Sequence, residues 1–271
     1  QQVLLEVTHA GVCHSDLHIW EGEYDLGSKG IMRLSDRGVK LPLAMGHEIV
    51  GRVVKWGPEA EGQGLAVGQT RIVFPWVGCG ICPRCRAEED NMCLQGKALG
   101  VFQNGGYATH VVAPEPRHLV DPGDIDHALA ATYACSGVTV FSAINKVMPM
   151  DPDTAIVLVG AGGLGLQAIT VLKALGHRRI VSVDISAEKL AAARAAGATA
   201  TLEATGEDVA KRLVEACGGA VEAIIDLVNG TATARFCIDA LTKGDKLVQV
   251  GLFGGEMVVP LPLMAMRALT I

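Results

Sequence analysis

Half of the eight cysteines in this 271-residue chain fall in one short stretch. Cys79-Gly80-Ile81-Cys82-Pro83-Arg84-Cys85, closed by Cys93, spaces four thiols as C-x2-C-x2-C-x7-C. Four thiolates so placed can close around one tetrahedral zinc with no open position, which marks a structural metal. An iron–sulfur cluster also takes four cysteines and is the competing occupant. A disulfide framework suits a small secreted protein, but a chain this large and hydrophobic needs no such staples. The loop brings no apolar core of its own, so the metal is expected to hold it folded.

A second set of chemically able residues is scattered. Cys13-His14-Ser15-Asp16 comes early, Gly46-His47-Glu48 follows, and Cys135 sits far downstream in an apolar segment. Thiol, imidazole and carboxylate can all ligate a metal or move a proton. Spacing alone does not bring them together, and a single cysteine such as Cys135 reads equally well as a small hydrophobe.

The third pattern is Gly160-Ala161-Gly162-Gly163-Leu164-Gly165, a G-x-G-x-x-G run after the apolar stretch 155–159. The first glycine makes a tight turn, the second lets a pyrophosphate approach the backbone, and the third lets helix pack on strand. Helix N-terminal amides then meet the phosphates. In a chain with 33 glycines the pattern alone could be an ordinary turn. Asp184 strengthens it: it ends a second apolar run about 20 residues on, where a carboxylate would hold the adenosine ribose hydroxyls. It would also repel a 2′-phosphate, which favours NAD over NADP. The plainer reading of Asp184 is a helix N-cap, and Lys189 beyond it is either a ribose contact or a solvated surface lysine.

The elements that must position these residues differ between the two parts of the chain. Residues 1–150 are rich in glycine and proline with short β-like runs, such as 49–54 and 109–112, which predicts a mostly β domain with irregular loops. From about residue 154 strands and helices alternate: strands at 155–159, 179–184, 221–226 and 246–250, with helices running to Leu175 and over 187–196. That alternation predicts an α/β domain, 151–271, built on a doubly wound parallel sheet. The seam is expected at Pro149-Met150-Asp151-Pro152. Nearly half the residues are hydrophobic and 19% are charged, which suits a sizeable core. The net charge of −6 argues against nucleic-acid partners. No apolar run approaches the roughly 20 residues of a membrane span. Gln1-Gln2-Val3 does not read as a signal peptide, so a cytoplasmic protein is expected.

Taken together, these pieces resemble the zinc-containing medium-chain alcohol dehydrogenases. The resemblance rests on Cys13-His14-Ser15-Asp16-Leu17-His18-Ile19-Trp20, Gly46-His47-Glu48, the four-cysteine loop, Cys135-Ser136-Gly137-Val138-Thr139 and the glycine turn, in the family's order. It implies a GroES-like catalytic domain beside a Rossmann domain. It also implies two zinc ions: a catalytic one on Cys13, His47 and Cys135, with a fourth position for water or the substrate oxygen, and a structural one on Cys79, Cys82, Cys85 and Cys93. Asp16 would orient His47, and Glu48 would approach the metal during ligand exchange. Ser15 would take the alcohol proton and pass it, through the cofactor ribose, toward His18. For NAD the resemblance adds His14 at the pyrophosphate, Thr139 beside the nicotinamide and Val250 and Leu252 at its carboxamide, to join Gly160, Gly162, Gly163, Leu164, Gly165, Asp184 and Lys189. Trp20 and Trp76 would line the substrate pocket, or pack in a core.

The implied activity is hydride transfer between a small primary or secondary alcohol and NAD, giving an aldehyde or ketone. A homodimer or homotetramer is implied as well. The family pattern runs on before Gln1 and beyond Ile271, which implies a piece of a longer chain, with residues 268–271 starting the sixth Rossmann strand. The segment 23–40 is longer than a minimal family loop, and would shape the pocket mouth or be passive surface. Two other readings stand beside this one. A zinc polyol or amino-alcohol dehydrogenase is the first; those enzymes commonly carry glycine after the first ligand cysteine and a carboxylate as third ligand, where this chain has His14 and Cys135. A non-catalytic NAD- and zinc-binding protein is the second. Cys217, Cys237, His9, His110, His118, His127 and His177 receive no role.

Overall fold

The computed structural model describes residues 1–61 and 64–271. Its contacts divide into two compact units, one of residues 1–25 and 31–135, the other of residues 26–30 and 136–271.

The first unit is built on strands β1 (Val3–Gly11), β2 (Glu23–Asp25), β3 (Ile31–Arg33), β4 (Glu48–Trp56), β5 (Thr70–Val73), β6 (His110–Ala113) and β7 (Leu119–Val120). Five of them form an antiparallel sheet ordered β6-β1-β4-β5-β7, while β2 and β3 pair as a separate hairpin. Alternation along the strands turns Val3, Leu5, Ile49, Val53, Val73, Val111 and Ala113 into one core. Each valine, leucine or isoleucine among them, fully buried, contributes about 1.5–3 kcal/mol. Three helices serve the unit: α1 (His14–Glu21), the single turn α2 (Pro83–Arg86) and α3 (His127–Thr132). Ala130, Ala131 and Ala134 are small enough to lie directly on Val50 and Ile72 of the sheet.

The second unit starts with α4 (Val138–Val147) and then alternates β8 (Ile156–Val159), α5 (Gly163–Ala174), β9 (Ile180–Asp184), α6 (Ala187–Ala196), β10 (Ala200–Glu203), α7 (Val209–Ala216), β11 (Ala223–Asp226), α8 (Thr231–Ala240), β12 (Lys246–Gln249) and α9 (Leu261–Arg267). All five strands are parallel, in the order β10-β9-β8-β11-β12. Strand alternation feeds two cores. Ile156, Leu158 and Ile225 meet α4, α5 and α6 on one face, whereas Val157, Val159 and Ile224 meet α7 and α8 on the other. The chain leaves β8 first toward β9 and later toward β11, so the switch point of the sheet lies at the carboxyl end of β8.

The structure departs from expectation in three places. The change of texture near Met150 does not mark the division of contacts, because Val140, Ala143, Ile144 and Val147 of α4 belong to the core under β8 and β11. Residues 268–271 form no strand; Thr270 makes a single bridge to Lys246, and Ala268 is left-handed at φ 48°. The helical stretch His127–Val147 does reach membrane-spanning length and apolarity, at 21 residues and a mean hydropathy of 1.3. Its apolar side chains are those of core helices, packed in the two units as just described.

Candidate functional site

The dispersed residues of the first unit meet because of one strand register. Antiparallel pairing of β1 with β4 sets Gly11 opposite Glu48. Cys13, just past the end of β1, and His47, just before β4, therefore emerge at the same end of the sheet. Ala134, seated on Val50 and Ile72, delivers Cys135 to the same place. One ligand atom each from Cys13, His47, Glu48 and Cys135 lies within 4.8 Å of all the others. The two Sγ atoms are 3.9 Å apart, and His47 Nε2 is 3.3 Å from Cys135 Sγ. Tetrahedral zinc, with bonds of about 2.3 Å to sulfur and 2.0–2.1 Å to nitrogen, would space these pairs about 3.8 and 3.6 Å apart. The donor set therefore fits zinc.

The surroundings of the cluster fix its orientation. Cys13 caps α1, and Asp16 at the third helical position reaches back to accept from the Cys13 amide (3.0 Å). The other oxygen of Asp16 faces His47 Nδ1 at 3.1 Å, which leaves Nε2 toward the sulfurs. Gly11 leaves room for Glu48, since a Cβ there would come within 2.1 Å of the Glu48 carboxylate. The Trp76 indole lies 5.7 Å from the His47 ring and donates to Ala134 O (2.9 Å).

Burial and charge act strongly on these groups. The Cys13 thiol is brought down to about 4, chiefly by the Cys135 thiol donating to it, with His47 and the Ser15 amide assisting against burial. Cys135, as that donor and buried, is raised. Burial opposes a charge on His47, but its bonds to Asp16 and Cys13 prevail and raise it to about 9. Glu48 is pushed up to about 7 by burial and then by the Cys13 thiolate. For Asp16, burial is outweighed by the bonds from His47, Cys13 and Tyr107, which hold it below the ordinary carboxylate range.

The four-cysteine loop is assembled locally. Pro83 starts α2 directly after Cys82, and Gly80 adopts φ +77° in the turn before it. The sulfurs of Cys79, Cys82, Cys85 and Cys93 all lie within 4.8 Å of one another, with separations of 3.5 Å for Cys82–Cys85 and 3.9 Å for Cys79–Cys85 and Cys82–Cys93. These are close to the edges of a zinc–sulfur tetrahedron. The Ile81 and Cys82 amides bring Cys79 down to about 6, while burial pushes Cys85 up to about 12.

In the second unit the glycine turn lies at the switch point of the sheet. Gly160 adopts φ +102°, and a Cβ on Gly165 would meet Gly160 O at 2.1 Å, so neither position accepts a side chain. Around Gly162 and Gly163 the space is open, and α5 begins there with its amides free to meet an anion. Asp184, ending β9, accepts from Ala161 N (2.8 Å) and Ser186 N (2.9 Å), which holds its carboxylate beside the turn. The open cradle, helix start and fixed carboxylate fit a dinucleotide. Thr139 is half-buried on α4, Val250 and Leu252 follow β12, and Lys189 is exposed on α6.

The remaining expected residues sit on α1. Ser15 is half-buried, His14 is exposed with its ring 5.0 Å from that of His18, and His18 packs on Tyr24 at 4.5 Å. Trp20 is 76% exposed, which rules out core packing within its unit. Of the segment 23–40, Leu26–Gly30 belongs to the second unit, where Ser28 N donates to Glu256 (2.9 Å). Sequence reasoning missed Tyr107, whose hydroxyl reaches Asp16 at 2.9 Å across 91 positions. It also missed the buried Asp226, which accepts from Val228 N, Asn229 N and Thr233 Oγ1 after β11. The only signal for Tyr107 was the Gly105-Gly106 pair before it.

Comparison with known proteins agrees with this anatomy. Residues 1–122 match the alcohol dehydrogenase GroES-like domain, and residues 163–271 match the zinc-binding dehydrogenase family. An NAD-dependent alcohol dehydrogenase of Sulfurisphaera tokodaii is 37% identical over 98% of this chain and 75% of its own length. An L-threonine 3-dehydrogenase of Shewanella frigidimarina is 28% identical over 95% of this chain and 72% of its own. The crystal structure of the alcohol dehydrogenase from Aeropyrum pernix superimposes with a TM-score of 0.86 at 30% identity, covering 99% of this chain and 76% of that one. The chain belongs to the zinc-containing medium-chain alcohol dehydrogenase family. Its fold is the α/β one expected, a doubly wound Rossmann sheet with a mostly β GroES-like domain.

Proposed function

We propose that this chain is a zinc-dependent oxidoreductase that moves a hydride between a small primary or secondary alcohol and NAD, giving an aldehyde or ketone. The observation that carries the reading is the meeting of Cys13, His47 and Cys135 at one point, with Asp16 fixing the imidazole. In this reading those three hold the catalytic zinc, and Cys79, Cys82, Cys85 and Cys93 hold a structural one. Bound there, zinc supplies Lewis acidity toward the alcohol oxygen, and NAD serves as hydride acceptor.

The chain's own residues do the rest. Asp16 keeps His47 Nδ1 occupied so that Nε2 faces the metal position. Glu48 is a fourth donor available during ligand exchange. Ser15 would accept the alcohol proton and His18, one helical turn farther along α1, would receive it nearer the solvent. Trp76 and Trp20 shape the substrate pocket. On the cofactor side, Gly160, Gly162, Gly163, Leu164 and Gly165 would receive the pyrophosphate, Asp184 and Lys189 would hold the ribose, and Thr139, Val250 and Leu252 would flank the nicotinamide, with His14 a further pyrophosphate contact by family resemblance. Asp184 carries a charge that a 2′-phosphate would have to approach, which favours NAD over NADP.

The protein works as a homodimer or homotetramer in the cytoplasm on this reading. Support comes from the exposed apolar side chains of Phe253, Val258, Leu261 and Met266, close together in sequence, and from eight unpaired cysteines, which suit a reducing compartment. The test is the initial rate of NAD reduction by the full-length protein with primary, secondary, aromatic, polyol and amino alcohols, with NADP and a zinc chelator as controls. Chelator-sensitive turnover with NAD and a simple alcohol is expected. Preference for a polyol or for threonine would move the assignment to the neighbouring branch, and no turnover despite bound zinc and NAD would leave a binding protein.

A further inference from the structure

Asp16 is 3% exposed, and its two oxygens answer three donors: His47 Nδ1, the Cys13 amide and the Tyr107 hydroxyl. The first two lie next to or within the candidate ligand set; the third comes from a remote segment. That segment is laced to the chain just before His47, with Gly105 N donating to Ala44 O (2.7 Å), Gly106 N to Gly46 O (2.7 Å) and Tyr107 N to Met45 O (2.9 Å). Gly46 is left-handed at φ +86°, and a Cβ there would lie 2.6 Å from the Tyr107 ring. Two glycines thus let backbone and ring close together: Gly46 admits the ring, and Gly105 approaches Gly46 O so nearly that a Cβ would come within 2.1 Å of it. The same small patch therefore sets both His47 and the hydroxyl that braces its carboxylate partner.

We propose that Tyr107 is a positioning residue for the catalytic metal, acting through the chain Tyr107–Asp16–His47. Its hydroxyl fixes the Asp16 carboxylate in the rotamer that faces Nδ1; without it, among the described residues, Asp16 is held by the Cys13 amide and by the histidine it must orient. The inference rests on the reading that Cys13, His47 and Cys135 hold zinc. Partners of metal-bound histidines, when removed, typically lower metal affinity about 10–100-fold. Tyr107 lies one bond farther out, so Tyr107→Phe is expected at the low end, with about tenfold faster loss of one zinc.

The experiment follows zinc release from the full-length protein to a chromogenic chelator, for wild type, Tyr107→Phe and Cys135→Ser. The phase that Cys135→Ser abolishes belongs to the dispersed site, and the remaining phase to the four-cysteine loop. The phenylalanine keeps the ring against Gly46, so the fold is preserved and the loop phase serves as internal control. Acceleration confined to the first phase, with an altered visible spectrum of the cobalt(II)-substituted protein, supports the assignment. An unchanged first phase overturns it, and so does equal acceleration of both phases, which would mean general loosening. A wild-type protein holding only the loop zinc overturns the metal reading itself and this inference with it.

Discussion

The two thiol clusters are built by opposite means. The loop 79–93 gathers four sulfurs from one short run of chain, using a proline-started turn and local amide bonds. The other cluster draws Cys13, His47, Glu48 and Cys135 from three distant segments, and buries His47 completely. The first has four like donors and needs a metal mainly to hold a peripheral loop. The second has two thiols and an imidazole with a carboxylate alongside, each held by the sheet, by α1 or by the helix that carries Cys135. The difference teaches that a closed site can be specified by spacing, whereas an open, chemically useful one requires a rigid scaffold to hold its ligands apart from any local preference.

That contrast can be broken experimentally. The largest effect is expected from His47→Ala, which removes one ligand and takes away the imidazole partner of the buried Asp16 carboxylate. Turnover should fall below detection while bound zinc drops from two to one; residual activity near wild type would refute a catalytic role for the cluster. Next is Cys82→Ser in the loop. Zinc again drops by one, but here Tm should fall by about 10 °C and the segment 79–93 should become sensitive to protease, with NAD affinity retained. Loss of NAD affinity instead would mean that the loop is not independent of the second unit.

The smallest effect concerns protons. In the metal-free cluster His47, at about 9, is protonated at pH 7.5, as is the raised Cys135 thiol, while Cys13, at about 4, is already ionised. Ligands must be deprotonated, so zinc loading of the dispersed site should release about two protons at pH 7.5 and about one near pH 10. Affinity accordingly climbs with pH throughout this range, more steeply below the His47 value of about 9 than above it, where only the Cys135 thiol still has to lose a proton. Calorimetry of Cys82→Ser in buffers of different ionisation enthalpy would measure the count, and a single proton at pH 7.5 would show that His47 is neutral before metal arrives.

Much of the fold could be read from the chain. In 155–250 the alternation of apolar strands with amphipathic or alanine-rich helices has few physical solutions, and β8, β9, α6, β11 and β12 stand within a residue or two of their expected bounds. The strand β10 escaped notice because Ala200-Thr201-Leu202-Glu203 carries too little apolar signal. The four-cysteine loop was legible because its partners are near neighbours. The dispersed cluster was approached only through likeness to a family, since nothing in the spacing of 13, 47 and 135 requires proximity.

The sequence by itself determined the parallel domain, the glycine turn with its acidic partner and the local thiol loop, because each depends on near neighbours, on a fixed motif spacing within one strand–helix–strand unit, or on a regular period. Tertiary structure alone decided that Gly11 stands opposite Glu48, that Ala134 lies against β4 and that Tyr107 braces Asp16. Those depend on strand register and on close approaches that only glycine and alanine permit, and such contacts leave no periodic trace along the chain.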